Sequence, residues 1–285
     1  ASPSHPELLD WLALELRANG FRQRALLRLL LTSDAFRRDS RITTALRERD
    51  PEDVWLAWFP RRRLAAESIR DQALYTSGLL VERLGGPSVK PYQPAGLWRE
   101  VAMVQSNTRE FRRDDGDALF RRSLYTYWKR ASPPPGLSTF DAPTREFCTV
   151  RRSTTNTPLQ ALVLWNDEQF VEAARALAAR VLLDGALADA AGPDADDLAA
   201  RLDARRVEDL YRRATGRTLP PSLRERTLAT LRLLRDRYAT APDDAAALLR
   251  VGTLPVPSKL DPSELAAWTL LANVVLGLDA TVFLD

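Results

Sequence analysis

The stretch "DPSELAAWTLLANVVLGLD", residues 261–279, constrains the fold most. Asp261 stands at a helix N-cap, Pro262 in the first turn and Glu264 closes a capping box, so a helix starts here. Its residues are apolar on most sides, and such a helix must be buried by neighbours on every flank. Other helices must therefore wrap it. The segments upstream supply them: "DLAARLDARRVEDLYRRATG" stops on Gly216, and "PPSLRERTLATLRLLRDRYA" follows.

Nearer the N-terminus, "SHPELLDWLALELRANG" reads as a helix with Ser4 and Glu7 as its capping box and Gly20 as its stop. "RALLRLLLTSDAF" continues as a second helix, with Ser33 or Asp34 capping a short successor. In "RRRLAAESIRDQALYTSGLL", Ala66, Ile69, Ala73 and Leu80 fall on one helical face, which leaves three arginines at the helix start, where its dipole disfavours them. Thr157 and Gln160, with Pro158 between, form another capping box, and the apolar spacing predicts one helix to about Leu182. Asn166 interrupts its stripe and is expected to be buried, its amide holding a neighbouring loop or a ligand.

Between these helices lie long irregular stretches. Residues 85–98, "GGPSVKPYQPAGLW", hold three prolines and three glycines, and the irregular connection runs on to about 116. Connections this long are functional or disordered; Tyr92, Leu97 and Trp98 indicate a packed one. "DALFRRSLYTYWKR" spaces Phe120, Leu124 and Trp128 as a helix would, although its Tyr and Thr content also suits a strand. Residues 184–197, rich in Ala, Asp and Gly, read as a hinge or flexible loop. The expected fold is mainly α, an irregular helical domain with long ordered loops, built around helix 158–182 with the loop 82–116 and the segment 131–157 folded over one end. It spans 1–285 as one domain, or as two lobes at 1–183 and 195–285.

Charge is uneven. The net +3 of the 285 residues conceals a surplus of seven positive charges over 61–158 and a deficit of four over 159–285. Only three of the 41 basic residues are lysine, and arginine favours bidentate contacts to oxyanions, although a GC-rich genome gives the same bias. Arg121, Arg122, Lys129, Arg130, Arg145, Arg151 and Arg152, interleaved with Tyr125, Tyr127 and Trp128, are the candidates for holding an anionic chain. Lys129 and Arg130 are expected outside. One of Arg151 and Arg152 is expected to turn onto Asp141, Glu146 or Asp167.

Asp141 and Glu146 are the candidate acid and base, since glycoside hydrolysis uses two carboxyl groups flanking the bond. Nearby arginines would hold them ionised, and Asp141 precedes Pro143 as a helix N-cap would. Cys148, the single cysteine, reads as buried and structural, because the single histidine, His5, is far away in sequence. One His and one Cys make a metal site or covalently held haem in this chain an unfavourable reading, and no cofactor is expected. No phosphate-binding loop or dinucleotide fingerprint occurs, and no nucleic-acid recognition motif accompanies the basic residues. No apolar run is long enough to cross a bilayer. The chain opens on a helix signal without an initiator Met, as a segment of a longer precursor would.

Four motifs carry a resemblance: "HPELLDWLA" at 5–13, "RRRLAAESIRD" with "GGPSVKPYQPAGLW" over 61–98, "RRSLYTYWKR" at 121–130, and "FDAPTREFCTVRRSTTNTPLQALVLWND" at 140–167. Together they resemble domain of unknown function 1553, the planctomycete-specific domain 1, over nearly the whole chain. Trp165 departs from the aliphatic residue expected there. The resemblance implies an exported or periplasmic protein with a cytochrome c domain or a carbohydrate-binding-like module upstream, then domain of unknown function 1549. It implies no catalytic residues. The function expected is a non-catalytic C-terminal module for docking upstream domains or binding anionic polysaccharide; the alternative is a polysaccharide hydrolase using Asp141 and Glu146.

Overall fold

The computed structural model describes residues 3–184 and 195–284, with the side chains of 195–197 left out; the hinge expected at 184–197 lies almost wholly outside the described residues. The chain divides into two compact units, Ala1–Arg63 with Phe283–Asp285, and Leu64–Val282. This boundary differs from the lobes expected from sequence, because the helix before residue 184 and the helices after 195 share one core.

In the first unit, α1 (Pro6–Ala18) and α2 (Gln23–Leu31) form a hairpin in which Gly20 takes a φ of 63°. The α1 N-cap is His5 without a side-chain cap bond; the Ser4 hydroxyl lies 3.1 Å from His5 Nδ1, so the expected Ser4–Glu7 box does not form. Ser33 opens a turn rather than a helix, accepting from the Phe36 N–H at 3.3 Å. Helix α3 (Thr44–Arg49) begins on the Thr43 hydroxyl. The arginines expected at a helix start stand outside it: strand β1 (Arg62–Arg63) pairs antiparallel with β2 (Phe283–Leu284), and the Arg61 guanidinium covers the Phe283 ring.

The second unit contains α4 (Ala66–Ser77), α5 (Leu97–Val101), α6 (Pro135–Thr139), α7 (Pro158–Asn166), α8 (Glu168–Leu183), α9 (Ala195–Thr215), α10 (Pro221–Thr240), α11 (Pro242–Leu249), α12 (Pro262–Leu276) and α13 (Asp279–Val282). The apolar helix α12 is buried, as its composition requires, and it shares the centre of the core with α8 where a single helix over 158–182 was expected: Leu265, Trp268 and Leu271 are fully buried, packed among α8, α10 and α11. Asp261 caps it by accepting from the Glu264 N–H at 2.9 Å. The Thr157–Gln160 box caps α7, but the long helix expected from there breaks at Asp167. That carboxylate accepts from the Gln169 N–H at 3.0 Å and starts α8 afresh.

Helix α4 buries Ala66, Ile69, Ala73 and Leu74 and stops at Gly78, in a left-handed conformation, so Leu80 lies beyond it. The helix expected over 120–128 does not form. The segment makes two 3₁₀ turns, Gly116–Phe120 and Ser123–Tyr125, and bridges in parallel to Val81 and Val89. Backbone pairing with the proline-rich loop satisfies donors that a helix would have satisfied internally, and its strand-like composition was the signal.

Candidate functional site

Buried arginines fix the loops of this unit. Arg70, 3% exposed, donates to the Leu119 carbonyl at 2.6 Å, the Arg121 carbonyl at 2.8 Å and Gln169 Oε1 at 2.7 Å. Burial pushes its guanidinium down to about 10, which leaves it charged at neutral pH. Arg121 is fully buried, donates to the carbonyls of Arg83, Gly85 and Pro87, and stacks 3.8 Å from the Tyr125 ring centre. Arg175 bonds the Leu249 and Leu254 carbonyls at 2.8 and 2.9 Å, and the exposed Arg180 adds a bond to the Thr76 carbonyl at 2.8 Å. A planar fork of donors reaches several carbonyls at once, which an ammonium cannot.

The basic candidates are thereby dispersed. Arg121 is corrected from a ligand contact to a buried clamp. Arg122 pairs with Asp71 at 3.4 Å. Lys129, expected outside, is half-buried: its ammonium donates to the Thr108 carbonyl at 2.8 Å and lies 4.8 Å from the Trp98 ring. Arg130, Arg145 and Arg151 are exposed, with Arg145 stacked 4.4 Å from Trp128. Arg152 turns onto Glu67 at 2.6 Å, not onto the three acids expected. Arg121, Lys129 and Arg145 lie on the protein's own rings and carbonyls, and for Arg121 and Lys129 the reason is that loops without regular structure leave carbonyls that need donors.

Asp141 does not cap a helix. Its backbone is left-handed, with a φ of 61°, and its carboxylate accepts from the Thr155 N–H at 2.8 Å and the Thr155 hydroxyl at 2.9 Å. Glu146 is exposed, as is Cys148, which corrects the expectation of a buried thiol. Asn166 is exposed too, and the loop-holding role expected of it belongs to Gln160, 4% exposed, whose amide donates to the Thr139 carbonyl and the Thr155 hydroxyl, both at 3.0 Å. The helix break at Asp167 turns Asn166 outward.

A cleft of about 390 Å³ opens elsewhere, along the connection 92–113. Tyr92, Trp98 and Phe111 give it aromatic walls, with Trp98 edge-to-face against Phe111 at 5.1 Å. Arg99, Arg109 and Arg113 supply the positive charge, and Glu110 and Glu168 the negative. Arg99 pairs with Glu110 at 2.7 Å, and Arg113 reaches Glu168 at 3.5 Å while lying 4.9 Å from the Tyr92 ring. The volume falls among small-ligand pockets, roughly 300–1,000 Å³. None of its charged residues was singled out from sequence; the signal was the long loop itself. Among the described residues, no group of three or more His, Cys, Asp or Glu converges as metal ligands would, and no helix is long and apolar enough to cross a membrane.

Fold and site together define an irregular, mainly α domain whose loops are clamped by buried arginines and which carries an aromatic, arginine-bearing cleft. The chain belongs to PSD1, a protein family of unknown function (DUF1553), whose family model matches residues 1–231. No curated protein and no solved structure matches it.

Proposed function

We propose that this domain is a non-catalytic binding module that holds an anionic saccharide chain in the cleft between Tyr92, Trp98 and Phe111. The exported, cytochrome c-associated setting belongs to the same proposal and rests on the motif resemblance alone. The observation that carries the binding reading is the cleft: the half-buried Phe111 ring suits a sugar ring, and the arginines beside it suit acidic substituents. Hydrolysis by Asp141 and Glu146 has less support, since Thr155 occupies the first carboxylate and the second stands on an exposed loop.

Retention on immobilised heparin and polygalacturonate tests the reading. The protein should be held at low salt and released as salt rises, because charges at an open site are screened beyond about 8 Å at physiological ionic strength. Arg130→Ser should change this little. Passage through both columns at low salt would overturn the reading.

A second reading, docking of a neighbouring domain, is favoured by α7. Leu159, Leu162 and Trp165 recur every third residue and are 57%, 56% and 47% exposed, an apolar face without a partner among the described residues. Crosslinking from position 165 in the full-length protein separates the readings: links into another domain support docking, and links confined to residues 64–282 remove it.

A further inference from the structure

Three of the cleft's residues carry a buried donor nitrogen without an acceptor: Gln93 Nε2, Trp98 Nε1 and Arg109 Nε. Leaving such a group unpaired is costly, and native proteins rarely do so. All three are donors, so what is missing is an acceptor. Trp98 cannot turn its N–H to water, because it is 3% exposed and wedged by Phe111 at 5.1 Å, Tyr127 at 5.5 Å and the Lys129 ammonium at 4.8 Å.

The charges around these donors narrow the partner. Arg99 is committed to Glu110, and Arg113 to Glu168 and Asp115. Arg109 has no carboxylate partner among the described residues. Three arginines against two glutamates leave the cleft lining one positive charge in excess.

We propose that this cleft recognises a monoanionic oxyanion on a saccharide ring, a carboxylate or a sulfate ester, whose oxygens accept from Arg109, Gln93 and Trp98 while the ring lies along the Phe111 wall. This deepens the binding reading above and rests on it. A phosphate monoester fits less well, since Glu110 and Glu168 repel its second charge. The donor nitrogens are shielded from bulk water, so an incoming oxygen gains their bonds without displacing their hydration. Arg109 lies on the irregular connection 102–115, and binding as proposed requires this segment to shift enough to expose the donors.

The test is a titration of the ¹⁵N-labelled protein, whose seven tryptophans give seven indole N–H signals. The Trp98 signal is assigned by its loss in Trp98→Phe or, should that variant not fold, by its shift in Gln93→Leu. Digalacturonate supplies the carboxylate, a singly sulfated disaccharide the sulfate, glucose 6-phosphate the dianion and maltose a neutral control. One or both monoanions should move the Trp98 signal saturably, and which of them does identifies the source. The dianion should bind about tenfold more weakly, and Arg109→Gln should weaken binding about tenfold or more, the loss of one charged hydrogen bond, without lowering the melting temperature. A protein that binds the polymer columns but shows no saturable Trp98 shift, or whose affinity survives Arg109→Gln, overturns this site and leaves the binding reading standing. Failure on the columns removes both.

Discussion

The Tyr92 hydroxyl donates a 2.7 Å hydrogen bond to the fully buried carboxylate of Glu172, eighty residues away in sequence. The same carboxylate accepts from the Thr253 and Leu254 N–H groups at 2.6 and 2.8 Å and faces Arg175 at 3.7 Å. One side chain on α8 thus fixes both an aromatic wall of the cleft and the turn after α11.

Glu172→Gln should cost about 3 kcal/mol in urea unfolding, because it strips a buried Arg175 of its counter-charge. Tyr92→Phe should cost about 1 kcal/mol, the value of one hydrogen bond. Burial, joined by the Glu172 contact and opposed by the Thr253 hydroxyl, holds the Tyr92 phenol above its usual 10.0. A group raised on folding stabilises below its unfolded value and loses that contribution above it. Alkaline destabilisation above about pH 10 should therefore be shallower in Tyr92→Phe.

Arg121→Lys should cost about 3 kcal/mol, since an ammonium cannot reach the carbonyls of Arg83, Gly85 and Pro87 together and loses the Tyr125 stack. The same change at the exposed Arg130 should stay within about 0.5 kcal/mol. Equal melting temperatures for the two variants would contradict the clamp.

Asp167 starts α8 from a half-buried position, and desolvation raises its carboxyl above the usual 3.8 against the opposing pull of the Gln169 N–H and Arg70. Asp167→Asn keeps the cap and removes the desolvated charge, so it should be neutral or stabilising at pH 7, with any gain shrinking as pH falls toward 3.8. Asp167→Ala should cost about 1 kcal/mol across the range. Chemical denaturation at pH 7 and at low pH distinguishes these outcomes.

Glu67 is partly buried, which works to raise its carboxyl, yet the Arg152 hydrogen bonds hold it below the usual 4.5. A carboxyl depressed on folding contributes stability above its unfolded value and loses it as pH falls through the folded one. Arg152→Ser should flatten that acid limb below pH 4.5. The effect at pH 7 should be under about 1 kcal/mol, because Arg152 is 43% exposed and solvent screens the pair.

Most local helix signals were legible. The Asp261 cap and the Thr157–Gln160 box formed as spaced, because a cap closes within four residues, although the equally local Ser4–Glu7 box did not form. The apolar α12 is buried because no arrangement leaves such a surface in water at low cost. The break at Asp167 has a local signal too, an Asp followed by Glu168, but the apolar spacing from Leu159 to Val181 runs across it. Family membership was legible too, carried by long motifs rather than by any single residue.

The roles of the charged residues were not legible, since a guanidinium is committed by whichever carbonyl or ring the distant chain brings to it. Arg121 meets carbonyls 34 to 38 residues away, and Arg70 meets acceptors 49 to 99 residues away. Arg109 in the cleft and Arg121 in the interior look alike in sequence, each within two residues of a phenylalanine and within three of another arginine. Spacing along the chain therefore determined the helices and their caps. Only the packing of the irregular loops decided which arginines hold the protein together, because it alone brings the distant carbonyls and rings within their reach.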